Sequence, residues 1–159
     1  MAFRVLDSSA FYAGIPFSSN EPSYITSLVY NEIEHIKKDH DAVQILIETK
    51  RLMISDPEHR FIITATNAAK KSGDFPNLSD EDISSIALSL QLKAELVTDD
   101  FAISNVAKNL GIKVIPVMTS GIKNVIIWKY YCPGCKIDFS KVTECPRCGN
   151  RLKRKPMKN

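Results

Sequence analysis

The chain has 159 residues, of which 44% are hydrophobic and 25% charged, a composition that indicates a globular protein and excludes a predominantly disordered one. No apolar run approaches the roughly 18 residues that a membrane-spanning helix requires, so no such segment is expected. The net charge of +3 conceals an asymmetry, because residues 132–159 carry eight Lys and Arg against two acids while residues 1–131 are net acidic. This asymmetry predicts that one end binds a polyanion and the other collects cations, although a solvated tail would have the same composition.

The first half of the chain predicts two short strands and three helices, from runs of apolar residues and from helical spacing. In chain order these are a strand over residues 3–7 that ends in an acid, a helix capped by Thr26 with Tyr30, Ile33 and Ile36, a helix with Val43, Leu46 and Ile47, a strand over 52–55 closed by Asp56-Pro57, and a helix over about 59–72 that ends at Gly73.

The second half continues the alternation of helices and strands. Its predicted elements are a helix opened by Ser79 with Ile83, Ile86, Ala87 and Leu90 at helical spacing, a strand over 96–98, a helix with Ile103, Val106, Ala107 and Leu110 that ends at Gly111, and a strand over 113–117. Strands that alternate with helices of this length predict an α/β fold in which a parallel sheet carries helices on both faces.

Acidic residues follow two of the predicted strands at their carboxyl ends. Asp7 ends the first strand, and Asp99 and Asp100 directly follow the strand at 96–98. Ligands of open parallel sheets bind at the carboxyl ends of the strands, near the point where the strand order reverses. If the two strands are neighbours, these acids meet at one edge of the sheet.

Two further acids occupy positions that suggest a functional role. Glu32 lies four residues from both Leu28 and Ile36, and therefore in or beside an apolar helix face, and Asp82 lies in the first turn of the helix opened by Ser79. Structural roles compete with a functional one: Asp82 fits a capping box with Ser79, Asp99 fits a helix cap, and Glu32 fits a rim residue that faces water. The joint placement of the acids favours a site for a hard divalent cation, Mg²⁺ or Mn²⁺, which relieves the repulsion between clustered carboxylates.

Four cysteines form two close pairs near the end of the chain, Cys132-Pro-Gly-Cys135 and Cys145-Pro-Arg-Cys148, separated by nine residues. Two such pairs complete a tetrahedral thiolate site for one structural zinc ion in a small ribbon. Disulfides or a redox-active pair are the alternatives. Reducing cytosol disfavours disulfides, and the doubling of the motif argues against a redox-active pair. With so few residues around them, zinc is expected to supply most of the segment's folding free energy.

The order of these motifs resembles the PIN-domain nucleases, and more narrowly the archaeal Nin-one-binding endonuclease family, in which a zinc ribbon follows the PIN domain. The resemblance covers nearly the whole chain, and it is carried by Val5-Leu-Asp-Ser-Ser-Ala-Phe11, Asn31-Glu-Ile33, Leu78-Ser-Asp-Glu-Asp-Ile83, Thr98-Asp-Asp-Phe-Ala-Ile-Ser-Asn-Val106, Leu110-Gly-Ile112, Gly121-Ile-Lys123 and the cysteines.

The resemblance implies a set of metal-binding catalytic acids. These are Asp7, Glu32, Asp82 and Asp100, with Asp99 as a lower-ranked auxiliary. Where many relatives have Asp-Thr-Ser, this chain has Asp7-Ser8-Ser9, which retains a hydroxyl, and Ser104 replaces a frequent Gln, which puts an amide role there in doubt. The implied domains are a PIN-like domain over residues 1–120, a linker over 121–131, the ribbon over 132–150 with flanks at about 127–152, and a basic tail over 151–159.

The resemblance also implies a function: hydrolysis of RNA, dependent on Mn²⁺ or Mg²⁺, at the 3′ end of precursor small-subunit rRNA on the pre-ribosomal small subunit, in the cytoplasm. A VapC-like toxin ribonuclease and a non-catalytic RNA-binding assembly adaptor are the alternatives. The candidates for phosphate contact are Arg147, Arg151, Lys153, Arg154 and Lys155. Trp128, Tyr130 and Tyr131 either stack on bases or pack against the ribbon, and His35, His40 and His59 are expected at the surface.

Overall fold

The computed structural model describes residues 2–36, 40–118, 124–139 and 144–157, apart from the side chains of residues 34–36 and 40. Five short parallel strands form the central sheet, in the order β3-β2-β1-β4-β5. The strands are β1 (Arg4–Leu6), β2 (Ser23–Ile25), β3 (Leu52–Ile54), β4 (Glu95–Val97) and β5 (Val114–Ile115). The predicted α/β class with a parallel sheet is confirmed.

Helices cover both faces of this sheet. They are α1 (Ser8–Tyr12), α2 (Ile15–Ser18), α3 (Ser27–Ile36), α4 (His40–Glu48), α5 (His59–Ser72), α6 (Asp80–Leu92) and α7 (Phe101–Asn109). Consecutive strand residues enter two separate cores: Val5 packs with α5, α6 and α7, while Leu6 packs with α1, α3 and α4. A sheet buried on both faces explains why consecutive residues, such as Val5 and Leu6 in β1, are both apolar.

Most of the predicted helix ends are confirmed, because local hydrogen bonds determine them. Helix α5 ends at Gly73, whose φ of 83° lies in the left-handed region that favours glycine. Helix α6 begins with a complete capping box between Ser79 and Asp82. The alternative in which Asp99 caps the following helix is wrong, because Asp100 accepts the hydrogen bond from the Ile103 N–H and begins α7.

Among the α-helices and strands of the α/β domain, α1, α2 and β2 were not predicted. The two helices have five and four residues, which is too few for helical spacing to emerge from the sequence. Strand β2 has three residues and begins with Ser23, and pairing with β1 and β3 on either side determines its conformation. The predicted strands at 3–7 and 113–117 are also shorter in the structure, at three and two residues.

A second, antiparallel sheet forms the cysteine-containing ribbon, in the order β7-β6-β8. Its strands are β6 (Trp128–Tyr131), β7 (Asp138–Phe139) and β8 (Lys153–Pro156). The end of the predicted linker and part of the predicted basic tail are therefore strands. Because β8 reads Lys-Arg-Lys-Pro and has no apolar alternation, its sequence does not indicate a strand, and its pairing with β6 creates one. The predicted domain limits stay a prediction, and residues 121–123 lie outside the described ranges.

The ribbon docks on the turn that follows α5. The Tyr130 hydroxyl donates to the Gly73 carbonyl, and a Cβ on Gly73 would lie 2.5 Å from the Trp128 carbonyl oxygen. The buried Asn105 amide donates to the Ile126 carbonyl (2.6 Å) and accepts from the Ile126 N–H (2.7 Å). Within the described ranges, no helix combines the length and apolar character that crossing a bilayer requires.

Candidate active site and cysteine metal site

Strands β1 and β4 are parallel neighbours, with Leu6 opposite Val97. Strands β2 and β3 extend the sheet on one side of this pair, and β5 extends it on the other. The strand order therefore reverses between β1 and β4, although all strands run parallel. Asp7 follows β1, and Asp99 and Asp100 follow β4 by two and three residues. The condition for the acids to meet at one sheet edge is thus fulfilled.

Asp7 lies deepest in the site, with 3% of its surface exposed. Its Oδ1 accepts from the Ala10 N–H (2.8 Å) and the Ser9 hydroxyl (2.7 Å), and its Oδ2 accepts from the Thr98 hydroxyl. Burial raises the pKa of Asp7 above its ordinary value and the nearby Asp100 charge adds to the rise, whereas these hydrogen bonds oppose it. The hydrogen bonds fix the carboxylate in one orientation.

Asp82 and Asp100 hold helix N-termini and at the same time approach Asp7. Asp82 Oδ2 accepts from the Ser79 N–H (2.8 Å), and Asp100 Oδ1 accepts from the Ile103 N–H (2.8 Å). Burial raises the pKa of Asp82, and the charges of Asp100 and Asp7 contribute to that rise. The capping box and the cluster of acids are therefore both present, and a cap occupies one oxygen of each carboxylate.

Asp99, the lower-ranked auxiliary acid, contacts the segment that follows β5. Its two carboxylate oxygens accept from the Val117 and Met118 N–H groups, each at 2.8 Å. These bonds attach the segment after β5 to the end of β4. The geometry thus gives Asp99 a structural role in the chain path beyond the sheet.

Glu32 lies beside the cluster and makes its described contact with Ser8, whose hydroxyl donates to the Glu32 carboxylate. The expectation that Leu28 lies on an apolar helix face is wrong: Leu28 is 39% exposed, while Val29 and Ile33 of the same helix are 1% exposed. Glu32 is half-buried at the rim of that face. The structure therefore brings Asp7, Asp82 and Asp100 together. Glu32 lies beside them, because it accepts a hydrogen bond from Ser8, the residue that follows Asp7.

Sequence reasoning missed two polar residues near the acids. Thr98 bonds Asp7 and also accepts from the Asp100 N–H through its hydroxyl (3.0 Å), so it links two of the candidate ligands. Asp74 is fully buried and accepts from Ser72 (2.7 Å) and Asn105 (2.6 Å). Burial raises the pKa of Asp74, and the charge of Asp100 adds to the rise. The sequence Gly-Asp-Phe-Pro around Asp74 indicates an ordinary turn, so no local signal identifies it.

The four cysteine sulfurs gather into a compact group, with all ligand atoms within 4.8 Å of one another. The Sγ atoms of Cys132 and Cys148 are 3.4 Å apart, and those of Cys145 and Cys135 are 3.9 Å apart. A tetrahedron with Zn–S bonds of about 2.3 Å has edges of about 3.8 Å. The arrangement fits a metal ion and not disulfides, whose sulfurs are bonded at about 2.05 Å. All four are free thiols.

Two similar turns bring the thiols together. The Lys136 N–H donates to the Cys132 carbonyl and the Gly149 N–H to the Cys145 carbonyl, both at 2.8 Å. Lys136 and Gly149 both have positive φ, which tightens the chain after each pair. The Cys135 N–H also donates to the Cys132 sulfur, and this hydrogen bond is the main cause that lowers the pKa of Cys132 to about 7.

Among the described residues, the four cysteines form a group of potential metal ligands in which all ligand atoms lie within 4.8 Å of one another, and no group of acids does so. The carboxylates of Asp7, Asp82 and Asp100 influence one another electrostatically but do not form so tight a group.

The candidate RNA-binding residues are all exposed, and two of them make defined contacts. They are Arg147, Arg151, Lys153, Arg154 and Lys155. The Arg154 guanidinium lies 4.4 Å from the ring centre of Trp128 and 3.9 Å from Asp74. Lys155 lies 4.9 Å from the ring centre of Tyr131. The aromatic residues of β6 thus pack against cations of the ribbon.

His59 is exposed as expected, and the side chains of His35 and His40 lie outside the described residues.

Comparison with known proteins places the chain in a family. The pattern of the PIN domain of ribonuclease matches residues 5–92. The endoribonuclease Nob1 of Pyrococcus abyssi is 34% identical over 152 residues, which cover 94% of this chain and 91% of that protein. The endoribonuclease Nob1 of Methanocaldococcus jannaschii is 37% identical over 164 residues, covering 100% of this chain and 80% of that protein. Ribonuclease VapC1 of Thermoplasma acidophilum is 36% identical over 123 residues, or 77% of this chain and 63% of that protein. The chain therefore belongs to the PIN-domain ribonucleases and, among them, to the archaeal Nob1 endoribonucleases.

Proposed function

We propose that this protein is a divalent-metal-dependent endoribonuclease that hydrolyses a phosphodiester bond at the 3′ end of precursor small-subunit rRNA. The observation that carries the proposal is the meeting of Asp7, Asp82 and Asp100 at the carboxyl edge of β1 and β4, in a chain that belongs to the Nob1 family. The substrate follows the family resemblance of the sequence. The corresponding partners are this rRNA and the pre-ribosomal small subunit, and the corresponding compartment is the cytoplasm.

The catalytic residues in this proposal are Asp7, Asp82 and Asp100, with Glu32 at the rim, holding one or two Mn²⁺ or Mg²⁺ ions. The donor set fits such ions, because carboxylate oxygens are hard ligands and a cation stabilises the charge of Asp82, whose pKa is raised by burial and further by the charges of Asp100 and Asp7. When bound, the ions supply Lewis acidity and a lowered pKa for an attacking water. Thr98 and Ser9 orient the Asp7 carboxylate, and the capping bonds hold Asp82 and Asp100 at fixed positions.

The cysteine site is proposed to hold one structural zinc ion. Four thiolates complete a tetrahedral shell and leave no position for substrate. The exposed cations of the ribbon are proposed to contact RNA phosphates, namely Arg147, Arg151, Lys153, Arg154 and Lys155. Because such contacts release counterions, the affinity for RNA should fall as salt is added.

The test is cleavage of a short RNA that spans the mature 3′ end of small-subunit rRNA, in the presence of Mn²⁺, with Asp82→Asn as the control. The amide side chain of this variant retains an oxygen that can accept from the Ser79 N–H, so the helix cap is kept while the charge is lost. One discrete product that is absent in the variant is the expected result. RNA binding without a product would instead favour a non-catalytic assembly adaptor.

The VapC1 match motivates a second candidate, a toxin ribonuclease of the VapC type. Such a protein would cleave other RNAs and would co-purify with an antitoxin. The cysteine ribbon and its basic strand β8 favour the first candidate, because they provide a second RNA-contacting unit beside the nuclease domain. Cleavage of unrelated RNAs at the same rate as the rRNA fragment would favour the second.

A further inference from the structure

A groove lies where the end of α5 meets the ribbon, apart from the acid cluster. It consists of two cavities of about 370 and 440 Å³ that share Lys129 and Met157. Each volume is in the range of about 300–1,000 Å³ that pockets for organic groups occupy. The nuclease domain and the ribbon both contribute walls to the first cavity, which exists because the ribbon docks on Gly73, and ribbon residues alone line the second.

The lining of the groove combines cations with an apolar floor. Lysines enter it from both units, with Asp138 as the acid among them: Lys70, Lys71, Lys129 and Lys155. Asp138 pairs with Lys129 (2.7 Å) and Lys155 (3.3 Å), which holds these two ammonium groups together and leaves the groove net positive. Trp128, Phe139 and Met157 provide the apolar surface between the lysines.

Lys70 and Lys71 have a local structural role that does not conflict with a ligand. They lie in the last turn of α5, where positive charge complements the helix dipole. The Lys70 ammonium is 5.1 Å from the ring centre of Phe75, which keeps it beside the groove, and both side chains are exposed. Their ammonium groups therefore remain available to an anion.

We propose, resting on the ribonuclease function proposed above, that this groove binds single-stranded RNA and guides it between the ribbon and the nuclease domain. Phosphates match the lysines of the two walls, and a base matches the aromatic and methionine floor. An unpaired strand fits because its bases are free to enter the apolar part, whereas the bases of a duplex are stacked inside it. Lys70, Lys71 and Lys129 thereby join the RNA-contacting residues.

Trp128 is the single tryptophan of the chain and lines the groove, so its emission reports occupancy directly. The zinc-loaded full chain, without Mn²⁺, is titrated with a ten-residue oligouridylate at several salt concentrations. The test variant is Lys70→Gln/Lys71→Gln. The matched control is Lys93→Gln/Lys113→Gln, which removes the same charge from a different cavity, between α6 and β5.

RNA is expected to change the Trp128 emission, and the test variant is expected to raise Kd about tenfold at low salt. Loss of two phosphate contacts should reduce the slope of log Kd against log salt by about 1.4, while the control stays within about twofold of the unmodified protein. Equal weakening in the control overturns the proposal, because it would show a response to net charge alone. Binding of labelled RNA with unchanged Trp128 emission also overturns it, as does equal affinity for a ten-residue polyglutamate, which would make the groove an acidic-peptide site.

Failure of the groove and failure of the nuclease assignment have different signatures. Asp82→Asn is expected to keep the emission change while it abolishes cleavage. If the unmodified protein yields no product while RNA still changes the Trp128 emission, the nuclease assignment fails and the groove result stands. If the unmodified protein cleaves RNA but its Trp128 emission does not change when RNA is added, the groove assignment fails and the nuclease assignment stands.

Discussion

At the scale of single residues, the same acids perform two tasks. Asp7, Asp82 and Asp100 each accept a backbone N–H at the start of a helix, and each also contributes a charge to one shared edge of the sheet. A helix N-terminus stabilises a carboxylate, which partly offsets the cost of placing several together. The fold thereby tolerates a concentration of negative charge that a divalent cation can use.

Asp82 allows the two tasks to be separated by substitution. Asp82→Asn should keep the free energy of unfolding of the metal-free protein at pH 7 or raise it, because the amide retains the capping acceptor and removes a repelled charge. Asp82→Ala should lower that free energy by about 1 kcal/mol through loss of the cap. Urea unfolding with and without Mn²⁺ measures both. Stabilisation by Mn²⁺ should disappear in both variants, and its persistence would argue against Asp82 as a ligand.

The raised pKa values of Asp7 and Asp82 predict a pH dependence of metal binding. A metal ion requires the deprotonated carboxylates, so protons compete with it more strongly when the pKa values are higher. Mn²⁺ affinity should therefore fall as pH is lowered, and the fall should begin at a higher pH than the ordinary carboxyl pKa of 3.8 implies. Calorimetric titration in buffers of different ionisation enthalpy measures affinity and proton release together. A profile that stays flat down to pH 4 would contradict the prediction.

At the scale of elements, the turn after α5 joins the two units of the molecule. Gly73 ends α5 with positive φ, accepts the Tyr130 hydroxyl bond and lies against Trp128, and the next residue is the buried Asp74. Helix termination and ribbon docking therefore depend on the same residue. An altered backbone at this turn would change the position of β6 relative to the nuclease domain.

Gly73→Ala should be more damaging than Gly111→Ala. Both glycines have positive φ (83° and 77°), so both changes carry the backbone cost of about 1 kcal/mol. A Cβ at Gly73 also meets the Trp128 carbonyl at 2.5 Å, whereas a Cβ at Gly111 meets nothing within 4 Å. Gly73→Ala should therefore shift the Trp128 emission and lower stability further. Equal losses of stability with unchanged emission in both variants would show that the ribbon does not depend on this contact.

At the scale of the whole molecule, two units with different sources of stability share one chain. The nuclease domain contains two apolar cores that lie on opposite faces of the sheet. The ribbon has a small cluster built from Cys132, Cys145 and Leu152, which is too little apolar surface to stabilise a sheet by itself. Metal binding is therefore expected to supply most of the folding free energy of the ribbon.

Cys132→Ser should remove zinc and unfold the three-stranded sheet while the nuclease domain stays folded. The expected signatures are loss of bound zinc, a red-shifted Trp128 emission, and a retained cooperative unfolding transition of the α/β domain. Pro133→Ala, an exposed change between two ligands, serves as the control that keeps zinc. An unchanged zinc content in Cys132→Ser would refute the four-cysteine site.

The sequence by itself determined the elements whose signals are local. Capping residues, glycine after a helix and helical spacing located α5 and α6, and the spacing of the cysteines located the metal site. These signals suffice because the interacting atoms lie within a few residues of each other. The pattern of acids also predicted the sheet edge at which Asp7 and Asp100 meet, given that β1 and β4 are neighbours.

Tertiary structure decided what depends on distant parts of the chain. Strands β2 and β8 exist because their neighbours pair with them, and neither sequence carries an apolar pattern of its own. The contacts of Asp99 with residues 117 and 118, the burial of Asp74 against Asn105 and the groove between α5 and the ribbon also depend on the tertiary structure. Each of these outcomes depends on contacts between residues far apart in sequence, and spacing along the chain contains no information about such contacts.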